Sequence, residues 1–303
     1  MNEKIFVPPL KIQGIKTKIV PLIKKYIAIN DETLWIEPFM GSGVVGFNVK
    51  PRRAIFADIN PFIIDFYSKI QSKEINSRII FHFLNEHGKI LAEKGEEYYY
   101  SVRERFNLEH NPLDFLFLNR SCFNGMVRFN KSYEFNVPYG HKPERFSKAY
   151  VTKIINQVKY VEQCLSECEW TFVKLPFEIT IKKFSTSNSF IYCDPPYIGR
   201  HVDYYDSWDK KSEIALRDIL LESGSRFMLS TWEHSKYREN ECVSSIWGFC
   251  NKITTEHFYF VGGKEDNRNP ITEALLINYE PHLGTNDVIY LTLKNENRQL
   301  RLF

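Results

Sequence analysis

A short acidic and aromatic motif, DPPY, follows a run of apolar residues at positions 190–193. The apolar run predicts a buried strand, and Asp194, Pro195, Pro196 and Tyr197 stand where that strand must end. A carboxylate and a backbone carbonyl can each accept one N–H of an amino group on an aromatic base. Held in this way, the nitrogen lone pair leaves conjugation with the ring and points at an electrophile.

The two residues that flank this acceptor pair suit the same chemistry. The ring of Pro195 fixes the direction of its own carbonyl, and Tyr197 offers a face on which a base can stack, a contact worth roughly 1–3 kcal/mol. The alternative is a strand-ending turn capped by an aspartate, which leaves the combination of four specific residues unexplained.

A second candidate site lies earlier in the chain, at EPFMGSG, residues 37–43. Gly41, Gly43 and Gly46 match the spacing G-x-G-x-x-G, in which glycines let a ligand approach the backbone at the start of a helix. Asp58 ends the next apolar run and is placed to bind ribose hydroxyls. An acid before the first turn of the following helix is an equally good interpretation of Asp58 taken alone.

The elements that must position these residues alternate between strand and helix. Segments 34–39 and 54–59 read as buried strands, and Asn60-Pro61 opens a helix to about Gln71. Apolar strand patterns return at 171–175, 190–193 and 227–231, and EHFYFVGG and ALLINY form a closing pair. This pattern predicts an α/β, Rossmann-like core whose strands carry ligands at their carboxyl ends. The intervening residues, about 72–170, are polar, tyrosine-rich and mainly helical in pattern.

Charge is concentrated in one part of this middle segment. The whole chain of 303 residues carries a net charge of only +3, and 15% of its residues are aromatic. Residues 119–148 contain six Arg or Lys side chains and two Glu, which gives this stretch a charge of +4. A basic patch in an otherwise nearly neutral protein indicates a site for a polyanion, although a solvated basic surface has the same composition.

Cellular location is predicted from the N-terminus and the cysteines. There is no run of about 18 apolar residues and no signal-peptide core in MNEKIFVPPLK, and the six cysteines form no C-x-x-C pair. We therefore expect a cytoplasmic protein with reduced thiols, no metal site and no contact with a membrane.

Taken together, these motifs resemble the Dam-type (class alpha) DNA adenine-N6 methyltransferases, over roughly residues 8–281. The resemblance lies in PLKIQGIKTKIVPLI (9–23), EPFMGSG (37–43), ADIN (57–60), LNRSCFNGMVRFNKSYEFNVPYG (118–140), DPPY (194–197), FMLSTW and EALLINY. It implies a catalytic core at 1–71 and 171–281, a target-recognition domain with a β-hairpin at 72–170, and an extension of unknown role at 282–303.

The resemblance also implies an activity and a set of site residues. The activity is transfer of the methyl group of S-adenosylmethionine to N6 of an adenine flipped out of double-stranded DNA, within a restriction-modification system and beside a companion endonuclease. Asp194, Pro195, Pro196 and Tyr197 would be catalytic. The cofactor would be bound by Lys11, Gly14, Lys16, Glu37, Pro38, Phe39, Gly41, Gly43, Asp58, Asn60 and Phe177. The DNA would be bound by Arg120, Phe123, Asn124, Gly125, Met126, Arg128, Asn130, Lys131, Asn136, Pro138, Tyr139 and Lys142.

Two positions depart from the family pattern, and several other functions stay open at this point. Pro176 stands where the family usually has an aspartate, and Trp232 replaces a small polar residue. The segment His201–Asp209 is expected to lie over the base pocket. N4 of cytosine presents the same amine geometry as N6 of adenine, so DPPY does not decide between them. A glutamine-N5 protein methyltransferase, a DNA-binding module with a decayed centre, and a nuclease agree less well with DPPY and the basic segment.

Overall fold

A seven-stranded sheet forms the centre of the computed structural model, which describes residues 4–198, 208–235, 238–258 and 270–281. The strands are β1 (Leu34–Glu37), β2 (Arg53–Asp58), β3 (Glu169–Lys174), β4 (Ser189–Cys193), β5 (Arg226–Ser235), β6 (Asn251–Phe258) and β7 (Pro270–Ile277). Their spatial order is β3-β2-β1-β4-β5-β7-β6. Strands β1 to β5 are parallel, and β7 runs antiparallel between β5 and β6.

The strand order reverses between β1 and β4, which makes this place the topological switch point of the sheet. β1 pairs with β2 on one side and with β4 on the other, so the loops that follow β1 and β4 leave the same edge of the sheet. Such a crevice at the carboxyl ends of parallel strands is where open α/β sheets bind ligands. Both candidate motifs of the sequence, the glycine-rich turn and DPPY, follow these two strands.

Helices cover the sheet and fill the long segment between β2 and β3. Those that belong to the alternating strand–helix pattern are α1 (Val20–Tyr26), α2 (Val44–Val49), α3 (Pro61–Gln71), α8 (Phe177–Phe184), α9 (Lys210–Glu222) and α10 (Glu241–Ser245). Those between α3 and β3 are α4 (Ser77–Lys94), α5 (Glu96–Glu109), α6 (Pro112–Ser121) and α7 (Lys148–Glu167). Between α6 and α7 lie two short 3₁₀ turns, Phe123–Gly125 and Pro143–Phe146.

A β-hairpin connects the two 3₁₀ turns, as the sequence predicts. Isolated antiparallel bridges join Cys122 to Tyr139 and Phe129 to Phe135. The Asn130 amide donates to the Glu134 carbonyl (2.9 Å), and Asn130 Oδ1 accepts from the Ser132 and Glu134 amides at the tip. The fold is thus a Rossmann-like α/β core with an inserted, mainly helical segment that carries a hairpin, which confirms the predicted fold class.

Two hydrophobic clusters pack on opposite faces of the sheet because strand side chains alternate. Trp35, Tyr192 and Met228 belong to the larger cluster, which continues without a break into the helices α4 to α7. Their sequence neighbours Ile36, Ile191 and Phe227 belong to the smaller cluster, with α8, α9 and α10. Because one apolar cluster spans sheet and insert, the insert is packed directly on the sheet.

The expected element boundaries agree with the structure to within a few residues for most strands. The helix that Asn60-Pro61 was expected to open runs from Pro61 to Gln71, and Asn60 Oδ1 caps it by accepting from the Phe62 amide (3.0 Å). Part of EHFYFVGG and all of 282–303 lie outside the described residues. In the described part of the chain, no helix combines the length and apolarity needed to cross a bilayer.

Gly46 tests the packing between α2 and the sheet. A Cβ at this position would lie 2.6 Å from Glu37 Oε2 and closer still to the ring of Phe56. We expect Gly46→Ala to lower the free energy of unfolding by about 1–3 kcal/mol, because overpacking forces neighbours out of place.

The double variant Gly46→Ala, Phe56→Leu provides the matched control. Shortening Phe56 makes room for the added methyl, so urea unfolding should show a smaller loss for the double variant than the sum of the two single losses. Strictly additive losses would contradict the predicted clash.

Candidate active site at the carboxyl edge of the sheet

The carboxylate of Asp194 contacts two polar side chains through one of its oxygens, and a third side chain supports one of these two. Lys16 Nζ lies 3.0 Å from Asp194 Oδ1, and Ser230 Oγ donates to the same oxygen at 2.9 Å. Tyr192 donates in turn to Ser230 Oγ at 3.0 Å. Oδ1 therefore receives two donors, whereas Oδ2 accepts no hydrogen bond from the described residues. This leaves one oxygen of a fixed carboxylate available to an incoming N–H.

Strand geometry explains why these groups meet. Tyr192 and Asp194 are two residues apart at the end of β4, so their side chains leave the same face of the sheet. The pairing of Tyr192 with Met228 places Ser230 level with Asp194 on the neighbouring strand. Neither Tyr192 nor Ser230 was predicted as a site residue, although the period of two along β4 and β5 was the signal that could have found them.

Lys16 was predicted to bind a cofactor, and the structure places its ammonium at the catalytic motif. Its side chain is only 5% exposed, donates to the Gly14 carbonyl at 2.9 Å and lies 4.9 Å from the centre of the Tyr197 ring. Burial alone would lower the pKa of Lys16, but the charges of Asp194 and then of Tyr197 and Glu273 hold that pKa well above its ordinary value. Lys16 is therefore protonated.

For Asp194, burial and the neighbouring charges shift the pKa in directions opposite to those for Lys16. Burial raises the pKa of its carboxyl above the ordinary value, while Lys16 and Ser230 favour the ionised form and lower that pKa. The Lys16 ammonium is therefore the main group that favours the ionised form of the half-buried Asp194. Pro195 is buried beside it, and Pro196 and Tyr197 are half-buried.

The glycine-rich turn after β1 forms the second part of the site. Gly41 and Gly43 have φ of 50° and 75°, a region that glycine adopts without strain. Asp58 Oδ2 accepts from the Gly41 amide and Oδ1 from the Asn60 amide, each at 2.8 Å. Asp58 thus joins the turn after β1 to the turn after β2 and places a carboxylate between them.

Glu37 adds a buried acid beneath the same turn. It is 2% exposed and its Oε2 accepts from Trp35 Nε1 at 3.0 Å. Burial, with smaller contributions from Asp194 and Asp58, raises the pKa of Glu37 to about 8. A buried acid with such a pKa beside two further carboxylates favours a cationic ligand.

Aromatic rings line the adjoining wall. Phe39 packs against Phe177 (ring centres 5.3 Å apart) and edge-on against Trp208 (5.5 Å), while Pro38 is buried behind it. Glu213 accepts from the indole nitrogens of both Trp208 and Trp247, which fixes this wall to α9. Pro176 directly precedes α8, and as a proline it brings no carboxylate to this position. Of the segment His201–Asp209, residues 201–207 lie outside the described residues.

Lys11 is the one predicted cofactor residue whose contacts lie elsewhere. Its backbone exchanges two hydrogen bonds with the Asn119 side chain (2.8 and 2.7 Å), and its side chain contacts Gly125 and Tyr150 in the insert. The Asn119 amide thus directs Lys11 towards the hairpin, away from the glycine turn. No sequence pattern marked Asn119 for this role.

The residues predicted to bind DNA divide into two groups by exposure. Phe123 and Asn124 are exposed at the start of the hairpin, and Arg128 is fixed by a hydrogen bond from its Nε to Asn136 Oδ1 (2.8 Å). Exposed or half-buried on the same surface are Met126, Arg128, Asn130, Lys131, Asn136, Pro138 and Lys142.

Arg120, Gly125 and Tyr139 differ from the rest because they are buried. Arg120 is 2% exposed and donates to the Pro9 carbonyl and to Gln157 Oε1, each at 2.6 Å. Tyr139 packs its ring against Tyr99. These residues are buried in this structure, and their contact with DNA stays a prediction.

Comparison with known proteins agrees with this arrangement. The model of the family described as D12 class N6 adenine-specific DNA methyltransferase matches residues 13–285. The modification methylase StsI of Streptococcus sanguinis is 29% identical over 92% of this chain and 44% of its own length. The type II methyltransferase M.FokI of Planomicrobium okeanokoites is 29% identical over 89% of this chain and 42% of its own. The chain thus spans less than half the length of these two relatives.

A relative of similar size also matches. The type II methyltransferase M.MjaIII of Methanocaldococcus jannaschii is 32% identical over 90% of this chain and 99% of its own length. The match of the family model over most of the sequence, together with the DPPY motif at the edge of a Rossmann-like sheet, shows that the chain belongs to the D12 class of N6 adenine-specific DNA methyltransferases.

Proposed function

We propose that this chain transfers the methyl group of S-adenosylmethionine to N6 of an adenine that has been flipped out of double-stranded DNA. The observation that carries the proposal is the state of Asp194. Lys16 and Ser230 occupy Oδ1, which leaves Oδ2 to accept an N–H, and the buried Pro195 and the ring of Tyr197 follow Asp194 directly in the chain. A carboxylate oxygen and a neighbouring proline carbonyl are the two acceptors that an aromatic amino group requires.

The residues around the glycine turn suit the proposed cofactor. A sulfonium and an ammonium group are cationic, and Asp58 and Glu37 place acidic groups at the turn; a bound cation would lower the pKa of Glu37, which is about 8, and favour its carboxylate. The positive φ of Gly41 and Gly43 lets a ligand approach the backbone, and Asp58 can accept from ribose hydroxyls in addition to the two amides. Phe39 and Phe177 offer an apolar wall to an adenine ring. When bound, the cofactor supplies an electrophilic methyl group.

The chain's own residues then orient the nucleophile and accept a proton. Oδ2 of Asp194 and the Pro195 carbonyl each accept one N–H of the target amine, and Tyr197 stacks on the base. Transfer of the methyl group would break its bond to sulfur and leave a neutral thioether, while the nitrogen would gain positive charge, become acidic and release a proton to Asp194 Oδ2 or to water. Lys16 remains protonated throughout and stabilises the carboxylate.

The insert supplies the DNA contacts in this proposal, with residues 72–170 acting as the target-recognition domain. Phe123 is exposed and large enough to enter the base stack, and Arg128 can reach a guanine edge. Flipping of the target is required because its amino group cannot be reached within the duplex. A companion endonuclease and a cytoplasmic location complete the proposal, and the names of the type II relatives support the former.

Asp194→Ala tests the centre of the proposal. We expect methyl transfer to double-stranded DNA to fall at least about 1000-fold, because the amine loses its orienting acceptor. Binding of S-adenosylmethionine, measured by calorimetry, should persist. The transferred label should appear as N6-methyladenine when the DNA is digested to nucleosides, and an N4-methylcytosine product would overturn the choice of base.

Asp65→Asn is the control for that substitution, because Asp65 lies on α3 and pairs with Lys69 away from the site. This variant should retain full activity. Unchanged methylation by Asp194→Ala would contradict the proposed mechanism.

Lys16→Met tests whether the ammonium keeps Asp194 ionised. Removing a nearby positive charge raises the pKa of a carboxyl, so the acidic limb of the kcat/KM profile should move to higher pH. Lys16→Arg keeps a positive charge and should leave the limb closer to its original position. A uniform loss of rate in Lys16→Met, with no shift of the limb, would assign Lys16 a purely structural role.

Glu37→Gln tests two effects of the buried acid, one on the free energy of unfolding and one on the affinity for S-adenosylmethionine. The folded-state pKa of Glu37, about 8, lies above the ordinary value of 4.5, so between these values the folded chain binds more protons than the unfolded chain. The contribution of Glu37 to stability therefore falls as pH rises through this window. We expect Glu37→Gln to gain stability relative to the unchanged chain as pH rises from 4.5 to 8, while its affinity for S-adenosylmethionine falls.

Urea unfolding at several pH values measures the first effect and calorimetry the second. The exposed Glu109→Gln serves as control and should show neither effect. A constant difference in stability across the pH range would contradict the prediction for Glu37.

A further inference from the structure

Three cationic side chains meet around the hydroxyl of Tyr150, where the N-terminal segment, α6, the turn Pro143–Phe146 and α7 come together. Arg120 Nη1 donates to the Tyr150 oxygen at 3.2 Å and Arg145 Nη2 at 2.9 Å, and the Lys11 ammonium lies near enough to Tyr150 to interact with it electrostatically. The Arg145 guanidinium also lies 4.4 Å from the centre of the Tyr150 ring. We refer to Lys11, Arg120, Arg145 and Tyr150 as the cation pocket.

Among the residues that the structure describes, no ion pair joins Lys11, Arg120 or Arg145 to a carboxylate. The groups that most affect the pKa values of Lys11, Arg120 and Tyr150 are one another, Arg145 and Tyr67, and none of these is a carboxylate. Burial and the two arginines lower the pKa of Lys11, whereas Tyr150 raises it. Burial would raise the pKa of Tyr150, but Arg120 and Lys11 outweigh it and lower that pKa. Three like charges held together in this way favour an incoming anion.

The hydrogen-bond donors of the cation pocket are arranged for such an anion. The phenol oxygen has two lone pairs, and cationic donors compete for both, so its own proton must point towards another acceptor. Arg145 uses Nε for the Arg120 carbonyl (2.7 Å) and Nη2 for Tyr150, which leaves Nη1 available. Lys11 contributes further N–H groups. The available groups are all donors, which suits the oxygens of a phosphate.

Arg120 has a different part in this arrangement. Its guanidinium is 2% exposed and donates to Pro9, Gln157 and Tyr150. Arg120 therefore contributes positive charge from the buried side of the pocket and does not contact the ligand. Lys11, Arg145 and Tyr150 are half-buried and form the open side of the pocket.

The cation pocket lies close to the hairpin, and its Lys11 belongs to the same N-terminal segment as Lys16. A Cβ on Gly125 would lie 2.6 Å from Lys11 Cδ, and Gly125 directly follows the exposed Phe123 and Asn124. Lys11 is five residues from Lys16, a separation of at most about 18 Å along an extended chain. We propose that the cation pocket binds a phosphodiester group of the DNA backbone. This proposal rests on the proposed function.

Salt-dependent DNA binding tests the cation pocket directly. The full chain, with a fluorescent double-stranded oligonucleotide as probe, would be compared with Arg145→Gln and Lys11→Gln by anisotropy between 50 and 200 mM salt. Each neutralised side chain should weaken binding about tenfold at low salt and reduce the slope of log affinity against log salt by about one, because one counterion fewer is released.

Conservative variants separate charge from structure. Arg145→Lys should recover most of the slope, and Tyr150→Phe should keep the slope while weakening binding, since the charges remain and one donor is lost. The exposed Lys182→Gln, on α8, is the matched control and should behave as the unchanged chain. Calorimetric binding of S-adenosylmethionine should be the same in all variants.

The outcomes distinguish this inference from the proposed function. If the unchanged chain binds and methylates DNA but Arg145→Gln and Lys11→Gln keep its salt slope, the cation pocket does not hold a phosphodiester. A loss of affinity without a change of slope would likewise overturn the inference, because it indicates a structural defect. If the unchanged chain neither binds nor methylates DNA, the proposed function itself fails and the phosphodiester assignment with it.

Discussion

The ion pair between Lys16 and Asp194 is the interaction on which the site depends. A carboxylate at the buried end of β4 would tend to take up a proton, and a protonated acid could not accept an N–H at both oxygens. Lys16 counters this tendency from a segment that precedes the first strand by almost twenty residues. The position of the N-terminal segment therefore decides whether the motif after β4 is in a useful ionisation state.

The same N-terminal segment is held by the insert. Asn119 exchanges hydrogen bonds with the backbone of Lys11, and Arg120 donates to the carbonyl of Pro9. Both residues end α6, directly before the hairpin. These hydrogen bonds join the end of α6, from which the hairpin continues, to the N-terminal segment that carries Lys16. This arrangement connects the proposed recognition surface to the proposed catalytic carboxylate through two short sets of hydrogen bonds.

The glycine turn after β1 is also held by a small number of residues. Asp58 binds two backbone amides, Gly41 and Gly43 provide positive φ, and Gly46 allows α2 to approach Phe56 and Glu37. Glu37 is strongly buried and carries a raised pKa, a cost to stability that suits a place where positive charge is expected to bind. The acids at this edge of the sheet suit the cationic groups of the proposed cofactor, and the cations near the hairpin suit the phosphates of DNA. The two proposed ligands, which have opposite charge, therefore have separate sites.

The sequence by itself determined the local features: the strands, the helix opened by Asn60, the glycine turn, the hairpin and the position of DPPY at a strand end. These follow from periodicity, capping and turn chemistry, which act between residues close in the chain. It could not show that Lys16 faces Asp194, that Ser230 and Tyr192 support it, or that Arg120 and Lys11 turn towards Tyr150. Those contacts join residues 30 to more than 170 positions apart, and both burial and the direction of a long side chain depend on how separate elements pack. Only the tertiary structure could decide which of the basic residues lie on the surface and which hold the fold together.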